Sequence, residues 1–283
     1  MGVSILTDST HTMDHLPLRP LGDTGIQISP ISLGTVKIGR DKQVKYPTSF
    51  TMPDDKETLA LFDLAQSLGI NCLDTAPAYG RSEERIGEVL GRRTKEWIIC
   101  SKVGEEFIDG GSVFNFTPEH TRFSVERSLK RLHRDELDIV LIHSDGNDLD
   151  IINQFGTLDA LAELKQAGLI RAFGMSTKTV DGGILALEKS DIVMATHNLT
   201  YQDEVAVLDY AAQNNKGTFI KKALASGHLD KMASKDPIRS SMELVLSHPG
   251  VSSITVGTIN QKHLRENINT ALEVLSSPNN SPR

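Results

Sequence analysis

From residue 30 onward, short apolar runs of strand length alternate with longer stretches whose apolar residues recur three and four positions apart. That alternation predicts parallel strand–helix units rather than hairpins. Ile31–Thr35 is the first run, and a long loop separates it from a helix starting at about Asp54, where Asp54 and Glu57 have capping-box spacing, and ending at Gly69. Ile70–Asp74, a helix over Ser82–Gly91 and the run Trp97–Lys102 follow. Thr117 and Pro118 supply an N-cap and a first-turn proline for the next helix. Asp138–His143 is the fourth run, and a helix over Leu158–Ala167 stops at Gly168, where glycine favours a helix end. The series continues with Ile170–Ser176, a helix over Val180–Glu188, Ile192–Asn198, a helix over Asp203–Asn214 and Thr218–Lys222. A helix over Pro237–Leu246, the run Val251–Thr258 and a helix over Lys262–Leu275 complete it.

Repeated units of this kind predict an α/β fold, a closed (β/α)8 TIM barrel, because a parallel sheet needs helical cover and closure removes its edges. The open doubly wound alternative would carry G-x-G-x-x-G after a strand, and the chain has no such motif. Residues 1–15 lack a basic start and a sustained apolar core, so they read as a flexible tail rather than a signal peptide. Residues 16–283 then form one barrel domain. Leu6 stands where a myristoylation signal needs Ser or Thr.

Composition narrows the field. The 283 residues, 39% hydrophobic and 24% charged, are enough for a substantial core, and no apolar run approaches the roughly 20 residues of a membrane span. A net charge of −7 counts against a nucleic-acid surface. The one basic cluster, Arg127–Arg134, reads as the solvated end of an amphipathic helix. Cys72 and Cys100 each lie inside an apolar run and read as buried, reduced thiols, which favours a cytoplasmic location.

Candidate chemistry gathers at the run ends. Asp74, Lys102, His143, Ser176, Asn198, Lys222 and Thr258 each close an otherwise apolar run, and in a barrel these ends share the rim that carries active sites. Tyr79 follows Asp74 in DTAPAYG. A positive Lys102 nearby is expected to pull the tyrosine down by about 1–3 units, with Asp74 keeping the lysine charged. Tyr79 could then protonate a carbonyl oxygen while His143 supplies that oxygen with a second hydrogen bond. A metal site in HSDGNDLD, residues 143–150, is disfavoured, since turn and capping roles account for its Asp, Gly and Asn residues.

With LRPLGDTGIQISPISLGT, GINCLDTAPAYGRSEERIGEVLG, SKVG and LIHS in place, the sequence resembles the aldo-keto reductase family over roughly residues 18–270. FGMST, MATHNL and HPGVSSITVGTINQKHLREN match more loosely. The resemblance implies a barrel with an N-terminal β-hairpin, an extended nicotinamide cofactor and reduction of a small aldehyde or ketone. Asp74, Tyr79, Lys102 and His143 form the implied catalytic group. Gly34, Thr35, Ser176, Thr177, Lys221, Lys222, Leu224, Gly257, Thr258, Glu266 and Asn267 are the implied cofactor-binding residues, and NADPH is the favoured cofactor with NADH open. No metal is implied.

The chain departs from the family pattern in its cofactor pocket. Thr177 replaces an Asn, Met194 stands where the family has an amide, and Lys221 and Lys222 stand where it stacks an aromatic ring. Ile259 and His263 occupy places where a cation for a 2′-phosphate is expected. The stretch 223–249 is short, which implies weaker cofactor enclosure. Substrate choice falls to the loops Lys37–Pro53 and Glu105–Phe116, with Phe50, Phe107, Phe114 and Phe116 as candidate walls. A cofactor-binding regulatory subunit and a lyase using Lys102 as a Schiff base are the competing readings.

Overall fold

The computed structural model describes residues 15–44, 46–228 and 234–277; residues 1–14 of the expected tail, and 229–233 of the short stretch, lie outside the described residues. Strands β3 (Ile31–Gly34), β4 (Cys72–Asp74), β5 (Ile98–Val103), β8 (Leu137–His143), β9 (Ile170–Ser176), β10 (Ile192–Thr196), β11 (Gly217–Lys221) and β12 (Ser253–Val256) make a closed barrel in that order. All neighbours are parallel, and Ile254–Val256 pair with Ile31–Leu33 to close the ring. The runs are continuously apolar because each strand is buried on both faces.

A hairpin of β1 (Arg19–Pro20) and β2 (Gln27–Ile28) precedes the barrel. Its Leu21, Ile26 and Ile28 join Cys72, Cys100, Leu141, Ala172, Met194 and Phe219 in the barrel's interior cluster. The hairpin therefore plugs the barrel from the side where the strands begin, and the opposite rim carries the polar strand ends. Both cysteines are buried and free. The larger cluster, with Phe62, Trp97, Val125, Leu161 and Leu264, lies between barrel and helices.

The helices are α1 (Val36–Gly39), α2 (Asp55–Ser67), α3 (Ser82–Leu90), α4 (Pro118–Arg131), α5 (Asp148–Gln154), α6 (Thr157–Gln166), α7 (Val180–Lys189), α8 (Val205–Gln213), α9 (Pro237–Leu246) and α10 (Gln261–Ser276). The expected capping box forms, with Asp54 accepting from Glu57 N while Glu57 accepts from Asp54 N. Thr117 likewise caps α4 with Pro118 in its first turn.

Three readings need correction. Residues 105–114 are not an open loop but a hairpin of β6 (Glu105–Ile108) and β7 (Gly111–Phe114). Its turn, Asp109–Gly110, has φ of 50° and 83°, the two left-handed residues that a tight hairpin turn requires. The basic cluster is not simply a solvated helix end. Arg127 pairs with Glu106 and Arg131 with Glu83 and Glu84, so these half-buried guanidiniums staple α4 to its neighbours, while Arg134, beyond the helix, pairs with Asp138. The runs expected to reach Asn198, Lys222 and Thr258 stop at Thr196, Lys221 and Val256. Asn198 leaves the ladder because its amide donates to Lys222 O and its carbonyl accepts from Thr200 N.

Candidate active site

Asp74 and Lys102 end up side by side because β4 and β5 pair in register, Asp74 opposite Cys100. Lys102 Nζ lies 2.5 Å from Asp74 Oδ1 and donates to Thr75 O at 2.9 Å. Lys102 is only 1% exposed. Burial alone would favour its neutral amine, yet Asp74, aided by Tyr79 and Cys100, outweighs burial and raises its pKa above the ordinary lysine value.

After β4 a 3-10 turn, Pro77–Tyr79, carries the tyrosine back across the rim. Gly80 permits that reversal: its φ is 62°, and a Cβ there would meet Gly39 O at 2.3 Å. The Lys102 ammonium lies 4.8 Å from the centroid of the Tyr79 ring. His143, the last residue of β8, meets that ring edge to face at 6.2 Å between centroids. The expected lowering of the Tyr79 pKa is overturned. Burial, reinforced by Asp74, outweighs Lys102, and the hydroxyl rises above its ordinary value. A salt-bridged lysine presents less net charge to the ring than an unpaired one. Tyr79 therefore keeps its proton across the neutral range.

The sequence reading missed Glu105. Its Oε2 stands 2.7 Å from His143 Nδ1, and Ser112 donates to its Oε1 at 2.5 Å. Burial favours the neutral acid, but His143, Ser112 and Arg40 together hold the Glu105 carboxyl down at about 2. Burial lowers the His143 pKa, and Lys102 and Lys221 push the same way while Glu105 opposes them. The Asp109–Gly110 turn signal could have revealed the hairpin; no local spacing reveals that its first residue reaches His143.

These groups open onto one groove of about 1160 Å³. Asp74, Tyr79, Lys102 and His143 line it together with Gly34, Thr35, Ser176, Lys221, Lys222, Leu224, Gly257, Thr258, Glu266 and Asn267. Thr177 is set back: fully buried, it donates its N–H to Met194 O and its carbonyl receives Lys221 Nζ at 2.5 Å. Lys221 Nζ also donates to Ser176 Oγ at 3.0 Å. Burial, with Lys222 and Lys178 adding to it against Glu204 and Asp148, lowers Lys221 to about 7. Met194, Ile259 and His263 line the groove too.

Of the candidate apolar walls, Phe50 and Phe114 face the groove. Phe107 instead lies under the Arg40 guanidinium at 3.9 Å, and Phe116 is buried against Phe114 and Phe155. The loop before α2 adds Tyr46, whose ring carries Lys37 Nζ at 3.9 Å from its centroid. The Tyr46 hydroxyl approaches Gly257 so closely that a Cβ there would sit 3.0 Å from it. Asp148, in the segment 143–150, accepts from Lys178 N, Thr179 N and Thr179 Oγ1, so its carboxylate fixes the β9–α7 loop.

The groove suits an extended, anionic nucleotide. It combines length and Lys221 and Lys222 along its wall with the positive N-terminal end of α10, which Asn260 caps beyond Thr258. A closed parallel barrel with such a rim defines a (β/α)8 barrel protein whose candidate site lies at the C-terminal ends of its strands. The aldo/keto reductase family model matches residues 30–245, and the chain belongs to that family. A solved structure from Pseudomonas aeruginosa, described as an aldo-keto reductase, is 51% identical over 94% of this chain and 98% of that one, with a TM-score of 0.85. An uncharacterised oxidoreductase of Bacillus subtilis, YqkF, is 27% identical over 89% of this chain and 90% of its own length. The NADH-specific methylglyoxal reductase of Escherichia coli is 30% identical over 69% of this chain and 60% of its own. Among the described residues no helix is long and apolar enough to cross a membrane.

Proposed function

We propose that the chain reduces a small aldehyde or ketone to the alcohol, with NADPH as preferred hydride donor and NADH as a second one. The convergence of Asp74, Tyr79, Lys102 and His143 on one groove wall carries this reading. Reduced nicotinamide, when bound, supplies the hydride. Tyr79 gives its hydroxyl proton to the carbonyl oxygen, and the charged Lys102 beside its ring stabilises the phenolate that remains. Asp74 keeps Lys102 charged and oriented. His143, when its ring is charged, gives the same oxygen a second hydrogen bond and stabilises its developing charge.

Ser176 and Lys221 are assigned to the nicotinamide end, Lys222 and Leu224 to the adjoining wall, Gly257 and Thr258 to a phosphate, and Glu266 and Asn267 to adenine. Gly34 and Thr35 form the floor beside Asp74, where Thr35 Oγ1 donates to Asp74 O. Thr177 acts through its backbone carbonyl on Lys221 rather than by touching cofactor. NADPH ranks first on the family resemblance, while Ile259 and His263 bring no permanent cation and the methylglyoxal reductase relative is named for NADH. The free, buried Cys72 and Cys100 support a reducing, cytoplasmic setting. Lys102, held charged by Asp74, lacks the lone pair a Schiff base needs.

A carbonyl panel followed by loss of reduced-nicotinamide absorbance, run with NADPH and with NADH, tests the reading. Turnover of at least one aldehyde or ketone to its alcohol is expected. Tight cofactor binding without turnover across the panel would instead favour the regulatory subunit.

A further inference from the structure

Glu105 and Glu106 are neighbours on β6 and so project to opposite faces. Glu106 turns outward, where Arg127 Nη2 lies at 2.5 Å and His120 Nε2 at 3.4 Å, and so fastens the hairpin to α4. Glu105 turns inward to His143, and Ser112, on the same face of β7, locks the other carboxylate oxygen. The hairpin thus delivers one acid to one ring nitrogen.

His143 Nδ1 is sealed from solvent, and Glu105 Oε2 at 2.7 Å is its close polar neighbour among the described residues, lying off the line of an ideal ring N–H bond. A bare ring nitrogen 2.7 Å from a carboxylate oxygen would set two electron-rich atoms against each other, so this contact favours a proton on one of them. Glu105 is ionised throughout the neutral range, which leaves that proton on the ring.

We propose that Glu105 is a positioning residue that fixes the tautomer of His143, keeping its proton on Nδ1 and leaving Nε2 as the nitrogen available to substrate. A neutral ring in this tautomer accepts a hydrogen bond, as an alcohol hydroxyl requires. Only the imidazolium can donate from Nε2 to a carbonyl oxygen. His143 therefore serves alcohol when neutral and carbonyl when charged, a consequence that rests on the carbonyl–alcohol reading above; the tautomer does not.

Around the ring stand Tyr79 from the turn after β4, Lys102 from β5 and Lys221 from β11, with Glu105 from β6. Arg40 and Ser112 face Glu105. The two lysines oppose charging of the ring, and Glu105 is the acid that favours it.

The test is nitrogen-15 NMR of the full chain labelled at its nine histidines, with His143→Gln used to assign the ring. At pH 8 the expected state is protonated Nδ1 and bare Nε2, with Glu105→Gln shifting protonation toward Nε2. In parallel, kcat for carbonyl reduction should rise as pH falls and the ring charges. In Glu105→Gln this rise should move about one pH unit lower, as loss of a nearby opposite charge requires. Glu105→Asp should restore part of the shift, and Ser112→Ala should give a smaller displacement in the same direction with the hairpin kept. A purely structural Glu105 would lower the rate at every pH and leave the profile in place. Protonated Nε2 with bare Nδ1 in the unsubstituted chain would overturn the proposal, as would a tautomer and profile unchanged in Glu105→Gln. The tautomer is read without substrate, so absence of turnover would count against the reductase reading and leave this readout decisive.

Discussion

At the residue scale, the buried ion pair and the neutral-range lysine make separate demands. Asp74→Asn leaves the Lys102 ammonium buried without its counter-charge, a loss of about 3–5 kcal/mol that chemical denaturation should register. Lys221 behaves in the opposite sense. Its folded pKa of about 7 lies below the ordinary 10.5, so between those values the unfolded chain binds the extra proton and stability rises with pH. Lys221→Met should accordingly raise the thermal midpoint most at pH 6, in a comparison of melting curves at pH 6 and pH 9. An anionic cofactor favours the ammonium form, so NADPH affinity should fall several-fold as pH rises from 6 to 8.5. Isothermal titration of Lys221→Met should show that dependence flattened. Residue types announced themselves in sequence, but their protonation did not: Tyr79 was expected low and stands high because burial and the Asp74 charge, both products of folding, outweigh Lys102.

Among the elements, the barrel strands were legible because both faces are buried and the apolar runs need no partner to be recognised. Their ends were less so. Asn198, Lys222 and Thr258 are polar and fall just past the last ladder pair, where side chains such as Asn198 bond to loop backbone instead. Helix α5 was missed because DLDIINQ is short and polar, and hairpin β6–β7 was read as loop despite its Asp109–Gly110 turn. That omission concealed Glu105, since no sequence spacing relates it to His143. The hairpin should depend on its outward anchor. Glu106→Ala removes the Arg127 and His120 contacts without touching the groove, and should raise KM for carbonyl substrates several-fold more than it lowers kcat, measured by steady-state kinetics.

For the whole molecule, the plug formed by Leu21, Ile26 and Ile28 blocks one end of the barrel and leaves the opposite rim as the open face. Asp74, Lys102 and His143 could be grouped from sequence because a barrel gathers strand ends whatever their separation along the chain, and Tyr79 joins them on the turn after β4. The groove's cover was not recoverable, since the Tyr46 and Phe50 loop takes its path from contacts with Lys37 and Gly257. The most direct test of the account compares the unsubstituted chain with Tyr79→Phe, measuring NADPH-dependent carbonyl reduction and NADPH binding on the same preparations. The account requires turnover to fall by about 10²–10⁴-fold while NADPH binds as before. Undiminished turnover in Tyr79→Phe would contradict it.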